Sequence, residues 1–447
     1  MNADDLDYRA RTLSGCIPPA LVSRLISLGH VEEVKWQAGR GEWFCARAWA
    51  QLLAGQERRA EARELLAPYV ATGWWKAAET MADLLESWGQ VEEAITLTRP
   101  YADAENRLAL DYFARLLGRN GRGDDAFALL EPHVHDWFLA TALVAVAAGA
   151  GRDDDAAELL TARVKVIERR CDDLSCSCGA PDPFAVGLLA EIRERQGRID
   201  EAIALLHTRS TTSINNRDQL ADLLARHDRI QELRAYAASE HHGHAAQRLA
   251  ELLEERGDVD GAIGVYQHLP NRGGNEAVQL AELLARHGRG DEALEMLRST
   301  ADAGGADDWL VHTLCEHYAA QGRAEDGLAY LDTLRERLGE EYWEFFSMRL
   351  PLMVACGRLE EAIELAKAHP EGETLYAVES IAELLADAGR AEEAITILEQ
   401  QGGARSALAS HLIERGRVRD AVTLLQRHEP RPPEQSWTGA ATDSPPF

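Results

Sequence analysis

One segment recurs through almost the whole chain: a glycine, a short acidic turn, then an alanine followed by apolar residues. It reads GQVEEAITL from Gly89, GRGDDAFALL from Gly121, GRDDDAAELL from Gly151, GRIDEAIALL from Gly197 and GRGDEALEML from Gly288. GRAEDGLAYL (Gly322), GRLEEAIELA (Gly357), GRAEEAITIL (Gly389) and GRVRDAVTLL (Gly416) continue it, and weaker copies begin at Gly29, Gly55, Asp228 and Gly257. Apart from one long step between Gly151 and Gly197, the copies recur about every 31 residues. A period of that size indicates a solenoid, in which each unit buries its apolar faces only against its neighbours. It also accounts for a chain of 447 residues, long for one compact core.

Each unit has two helical halves. The stretch before the glycine resembles AVQLAELLARH (277 to 287), with apolar residues at helical spacing. The glycine ends that helix in the left-handed conformation that a β-carbon disfavours. Asp and Glu just downstream suit the N–H groups and positive dipole end of a second helix. Alanine falls seven positions before the glycine, as at Ala82, Ala114, Ala190, Ala250 and Ala281, and five after it, as at Ala94, Ala126, Ala202, Ala293 and Ala394. Two such columns let paired helices approach closely, with leucines filling the gaps.

Over residues 20 to 428 these units resemble the tetratricopeptide repeat, a helical hairpin with small residues at two fixed positions and a G-x-x-x-E-A-[IL] junction, which GRAEEAI and GRLEEAI match. The spacing is shorter than that family's usual ~34 residues, and its first-helix tryptophan is mostly missing. The resemblance implies an all-α solenoid of about 12–13 helix-turn-helix repeats in a right-handed superhelix. A cap segment (1–19) would precede it, and a Pro-rich, disordered tail (429–447) would follow.

The same resemblance places the first helices along a concave groove, facing it at positions 13, 10, 6 and 3 before the glycine. The third of these positions holds Asp83, Glu191, Asp222, Glu251, Glu282, Glu316 and Glu383, so that seven of its eleven occupants are acidic. A carboxylate column would concentrate negative potential and select a basic or amphipathic protein segment. Glutamate is also simply a good residue for a solvated helix face. A clamp for C-terminal carboxylates, which that family is known for, needs Lys, Arg and Asn there instead. Aromatics near the starts of first helices (Trp43, Trp74, Trp75, Trp137, Phe138, Phe184, Trp309 and Tyr376) are read as inter-repeat packing or as binding anchors.

A net charge of −28 argues against binding a phosphate backbone, and leaves an acidic mimic of nucleic acid as an alternative. The acidic opening MNADDLDYRA lacks a signal-peptide pattern, so a cytoplasmic location is expected. FLATALVAVAAGAG, from Phe138, is too short to span a bilayer and is expected to be a fully buried helix. None of the four lysines, Lys35, Lys76, Lys165 and Lys367, sits in a phosphate loop, and neither H-E-x-x-H nor G-x-S-x-G occurs. No nucleophile, base and oxyanion site assemble, so no enzyme is expected.

The long step holds CDDLSCSCGAPDP (171 to 183), expected to be an inserted loop at 170–183, after which Asp182 and Pro183 cap and restart a helix. Cys171, Cys176 and Cys178 are three soft ligands where a closed zinc site wants four, so His133, His135 or His207 would have to complete it. The loop is therefore read as unligated surface, with zinc or a conditional disulfide, and hence a metal- or redox-responsive regulator, as alternatives. The histidines of PHVH and of EHHGH (His241, His242, His244) are read as exposed loop residues. The leading expectation is a non-catalytic protein-interaction scaffold without a cofactor.

Overall fold

A computed structural model of the chain describes residues 2–164, 182–208, 213–214, 217–240, 243–269, 273–303, 307–339 and 342–427. A leading helix, α1 (Ala3–Thr12), is followed by helical hairpins. The first six are α2 (Pro19–Ser27) with α3 (Val31–Gly39), α4 (Trp43–Gly55) with α5 (Arg59–Val70), α6 (Trp75–Ser87) with α7 (Val91–Asp103), α8 (Arg107–Arg119) with α9 (Gly123–Leu130), α10 (Trp137–Ala150) with α11 (Asp153–Val164), and α12 (Pro183–Arg195) with α13 (Ile199–Leu206). The strand pair β1 (Ser213–Ile214) and β2 (Arg217–Asp218) intervenes, antiparallel.

Four hairpins follow: α14 (Gln219–Arg226) with α15 (Ile230–Ser239), α16 (His244–Glu255) with α17 (Val259–Gln267), α18 (Gly274–Arg286) with α19 (Gly290–Ala303), and α20 (Asp308–Ala320) with α21 (Ala324–Leu338). The last three are α22 (Trp343–Ala355) with α23 (Leu359–Ala368), α24 (Leu375–Asp387) with α25 (Ala391–Gln401), and α26 (Arg405–Glu414) with α27 (Val418–Leu425). Apart from that strand pair, the described residues form the tandem helical hairpins of a repeat solenoid.

Every junction between paired helices carries a residue with positive φ, and in most it is the expected glycine, from Gly29 (83°) to Gly416 (75°). Asp228 adopts the same conformation at 59°. The second hairpin departs from expectation. Gly55 remains inside α4, and the left-handed residue is Glu57, at 61°. Counting from Glu57 brings Ala50 and Ala62, both fully buried, into the two small-residue columns. Column members such as Ala114, Ala250, Ala126 and Ala293 are buried to 3% exposure or less, as close helix approach requires. In one hairpin Gly327 takes the second column's place, and a β-carbon there would come within 3.0 Å of Leu352.

The chain forms two compact units, one joining Met1–Leu84 to Leu385–Phe447 and the other spanning Leu85–Leu384, so α6 and α24 are each divided between them. In the first unit, α2 packs on α26. Arg24 pairs there with Glu414 at 2.7 Å, and Gln426 donates to Gln37 at 2.8 Å. Trp43 lies against Tyr69 and Trp74, with ring centres 5.2 and 4.8 Å away.

In the second unit, successive first helices touch: α8 with α10, α10 with α12, α14 with α16, and α20 with α22. Among the described residues of this unit, no successive pair of second helices packs as closely. The apolar run from Phe138 lies in α10 but is not buried all round, since Thr141, Ala145 and Ala148 are exposed along one strip. Among the described residues, no helix is long and apolar enough to cross a membrane.

Candidate protein-interaction face

The expected acidic positions fall at one helical register, on α6 (Asp83), α12 (Glu191), α14 (Asp222), α16 (Glu251), α18 (Glu282), α20 (Glu316) and α24 (Glu383). Asp222 and Glu251 are half-buried and the others are exposed. Asp83 belongs to the first unit and the remaining six to the second. Several carboxylates have local partners. Glu191 pairs with Arg195 at 2.8 Å, and Glu316 lies 3.7 Å from His312. A single guanidinium, Arg248, serves Asp222 (3.4 Å), Glu251 (3.2 Å) and Glu255 (3.5 Å), which leaves that neighbourhood strongly negative.

The aromatics divide by position. Trp43, Trp74 and Trp75 are buried packing, whereas Trp137 (52% exposed), Phe184 (46%), Trp309 (41%) and Tyr376 (75%) are open to solvent. Phe184, Trp309 and Tyr376 stand seven residues before Glu191, Glu316 and Glu383. Seven residues is within ~20° of two helical turns and spans about 10 Å. Each of these first helices therefore carries a large apolar side chain and a carboxylate on one face. The position 13 before the glycine held this signal, through Phe184, Trp309 and Tyr376, but a count confined to the acidic column passes over it.

A cleft of about 340 Å³ opens beside this row, on α10, α12 and α14. Trp137, Phe184 and Leu188 give it an apolar wall, and Glu191, Asp222 and Arg226 lie on its polar side. Asp136 caps α10 through the N–H groups of Phe138 (2.8 Å) and Leu139 (3.2 Å). Asp182 caps α12 through Phe184 N–H (3.0 Å), and so the two rings are set at helix starts. They stack with centres 5.7 Å apart and planes 27° apart. Gln219 donates to the Gly187 carbonyl at 2.9 Å, bracing α14 against α12. A larger cavity, about 490 Å³, lies among α25, α26 and α27 and is lined by none of the expected acidic residues.

Other charges are used inside the scaffold. The arginine after the junction residue reaches forward three residues to an acid, as Arg198 to Glu201, Arg289 to Glu292, Arg358 to Glu361 and Arg390 to Glu393, at 2.6–2.8 Å. A second pattern links neighbouring repeats. Glu194 accepts from Arg226 and His227, and Glu254 accepts from Arg286 and His287. Glu86 accepts in the same way from Arg119 and Asn120. The Arg286 hydrogen bonds hold the Glu254 carboxyl below its usual pKa, and those of Arg119 do the same for Glu86. Burial pushes Glu194 up, but the hydrogen bonds from Arg226 and His227 outweigh it and leave its pKa lowered.

Cys171, Cys176, Cys178, His241 and His242 lie outside the described residues. Cys16, Cys45 and Cys315 are buried, and burial pushes the thiols of Cys16 and Cys315 up to about 12, so both stay protonated near neutrality. Among the described residues no three His, Cys, Asp or Glu side chains are grouped to hold a metal ion.

No family model and no curated protein matches the sequence. Among solved structures, the chain is similar to one of Naa15/Naa10 bound to HypK-THB, at 14% identity and a TM-score of 0.41, covering 91% of this chain and 74% of that one. It is similar to the APC/C hetero-tetramer Cut9-Hcn1, at 12% identity and a TM-score of 0.27, covering 89% and 95%. A tetratricopeptide repeat protein from Parabacteroides merdae ATCC 43184 matches at 13% identity and a TM-score of 0.28, covering 65% and 98%.

Proposed function

We propose that this chain is a non-catalytic protein-interaction scaffold whose first-helix face binds a basic, amphipathic segment of a partner protein. The observation that carries this is the paired arrangement on the second unit, where exposed large apolar side chains stand seven residues from carboxylates on the same helices. Apolar area supplies affinity, and the carboxylates supply orientation and rapid capture of a cationic guest. The net charge of −28 favours the same class of partner at longer range. The junction acids, occupied by the repeats' own arginines, are not part of this face.

Affinity purification followed by a salt series tests this. Retained proteins should carry basic segments and should be released as salt rises toward ~1 M, where the Debye length falls to ~3 Å. Glu282→Lys, Glu316→Lys and Glu383→Lys together should abolish retention. Partners indifferent both to salt and to these reversals would refute the electrostatic basis.

A further inference from the structure

Resting on that scaffold function, the geometry points to an anchor subsite: the cleft of α10, α12 and α14 receives one large apolar side chain of a basic amphipathic α-helix, whose cationic face meets Glu191 and Asp222. Trp137 and Phe184 remain half exposed although they are the largest apolar groups on their helices. Their mutual stacking restrains them, and the Arg107 guanidinium, 5.4 Å from the Trp137 ring centre, is itself held by Asp136 at 2.6 Å. A wall ordered before binding loses little side-chain entropy when a partner docks. Around 340 Å³ is room for a single bulky side chain, and Gly187, on α12, takes up none of it.

Charge decides the rest of the partner. Arg226, the cation at this cleft, is bound by Glu194 through two hydrogen bonds of 2.9 and 2.8 Å. Asp222 shares Arg248 with two other carboxylates, so a cationic guest gains on this side and an acidic one is repelled. The separation between the apolar row and the carboxylate row, about 10 Å, matches the 10–12 Å diameter of an α-helix with its side chains. One helix lying across α10, α12 and α14 can therefore turn an apolar flank to Trp137 and Phe184 and a basic flank to the acids. A β-strand lines up every second side chain in a single row on each face, and so offers no two parallel flanks on one surface.

The test uses the full chain and fluorescein-labelled synthetic peptides of about 18 residues, long enough to cross ~27 Å as a helix. One carries Leu and Trp along a single helical face and Lys elsewhere. A second has the same composition without a face, and a third has Glu in place of Lys. Fluorescence anisotropy should show the first binding at least about tenfold more tightly than the others. Phe184→Ala should weaken it about tenfold without changing the salt dependence. Thr141→Arg, which puts a cation in the cleft and gives up the Thr141 hydroxyl's hydrogen bond to the Trp137 carbonyl (2.9 Å), should weaken it at least as much. Glu191→Gln with Asp222→Asn should weaken it and flatten the salt dependence, and Trp36→Ala, at an exposed aromatic of α3 outside this face, should leave it unchanged. Circular dichroism melts establish that each variant is folded. Tight binding unaffected by Thr141→Arg and Phe184→Ala would overturn the anchor subsite while leaving the scaffold function standing. Equal binding of the Glu peptide, or no binding of any peptide to the unaltered chain, would overturn both.

Discussion

Glu42 is a carboxylate that the fold removes from water, at 3% exposure. It accepts hydrogen bonds from the backbone N–H of Cys45 at 2.8 Å and of Ile17 at 3.3 Å, so one side chain caps α4 and ties the connection before α2 to it. Burial pushes its pKa up, and the two N–H groups and Arg9 only partly oppose this. A raised carboxyl pKa means that the folded state holds the proton more tightly than the unfolded chain. Its contribution to stability therefore declines as pH rises from the unfolded value of about 4.3 through the folded one. Urea midpoints of the native chain and of Glu42→Gln should accordingly diverge, with the native chain losing stability relative to the variant between acidic pH and neutrality. A parallel pH course would remove this account. Glu42 lies outside the periodic columns, which is why it cannot be picked out by counting. Glu57 is similar: its left-handed backbone is visible only once α4 is seen to run on through Gly55.

At the scale of elements, the arginine that follows most junctions and the acid three residues on stand in plain view in GRIDEA or GRGDEA, and they meet as spacing would suggest. The clamp from Glu254 to Arg286 and His287 joins residues 32 and 33 apart, which meet only because α18 stacks on the preceding repeat. Glu254→Gln should weaken that junction within the ~0–1 kcal/mol of an exposed pair. The carboxyl is held below its ordinary pKa, so this support is complete above the unfolded value and is lost as pH falls through the folded one. Hydrogen exchange should rise in α16 and α18 near neutral pH, with native and variant chains converging in acid. Because repeats couple mainly to their neighbours, α22 and α23 should be unaffected. A loss of protection spread evenly over all helices would contradict nearest-neighbour coupling.

For the whole molecule, the first compact unit draws on both ends of the chain, with α2 against α26 and Leu25 and Val22 of α2 buried. Deleting residues 403–447 should therefore raise hydrogen exchange in α2, hundreds of residues away in sequence, while sparing α16 to α19. Unchanged protection in α2 would show that this contact contributes nothing to its stability. What the sequence by itself determined was the repeat: helical periodicity, left-handed junctions and small-residue columns are local or near-local rules, so the hairpins could be counted from the letters alone. What only the tertiary structure decided was which side chains remain in water. Trp74 and Trp137 are the same residue type near the starts of first helices, yet one is buried under its neighbours and the other lines a cleft. Exposure depends on what the adjoining repeats place over a residue, and that information lies some thirty positions away or at the other end of the chain.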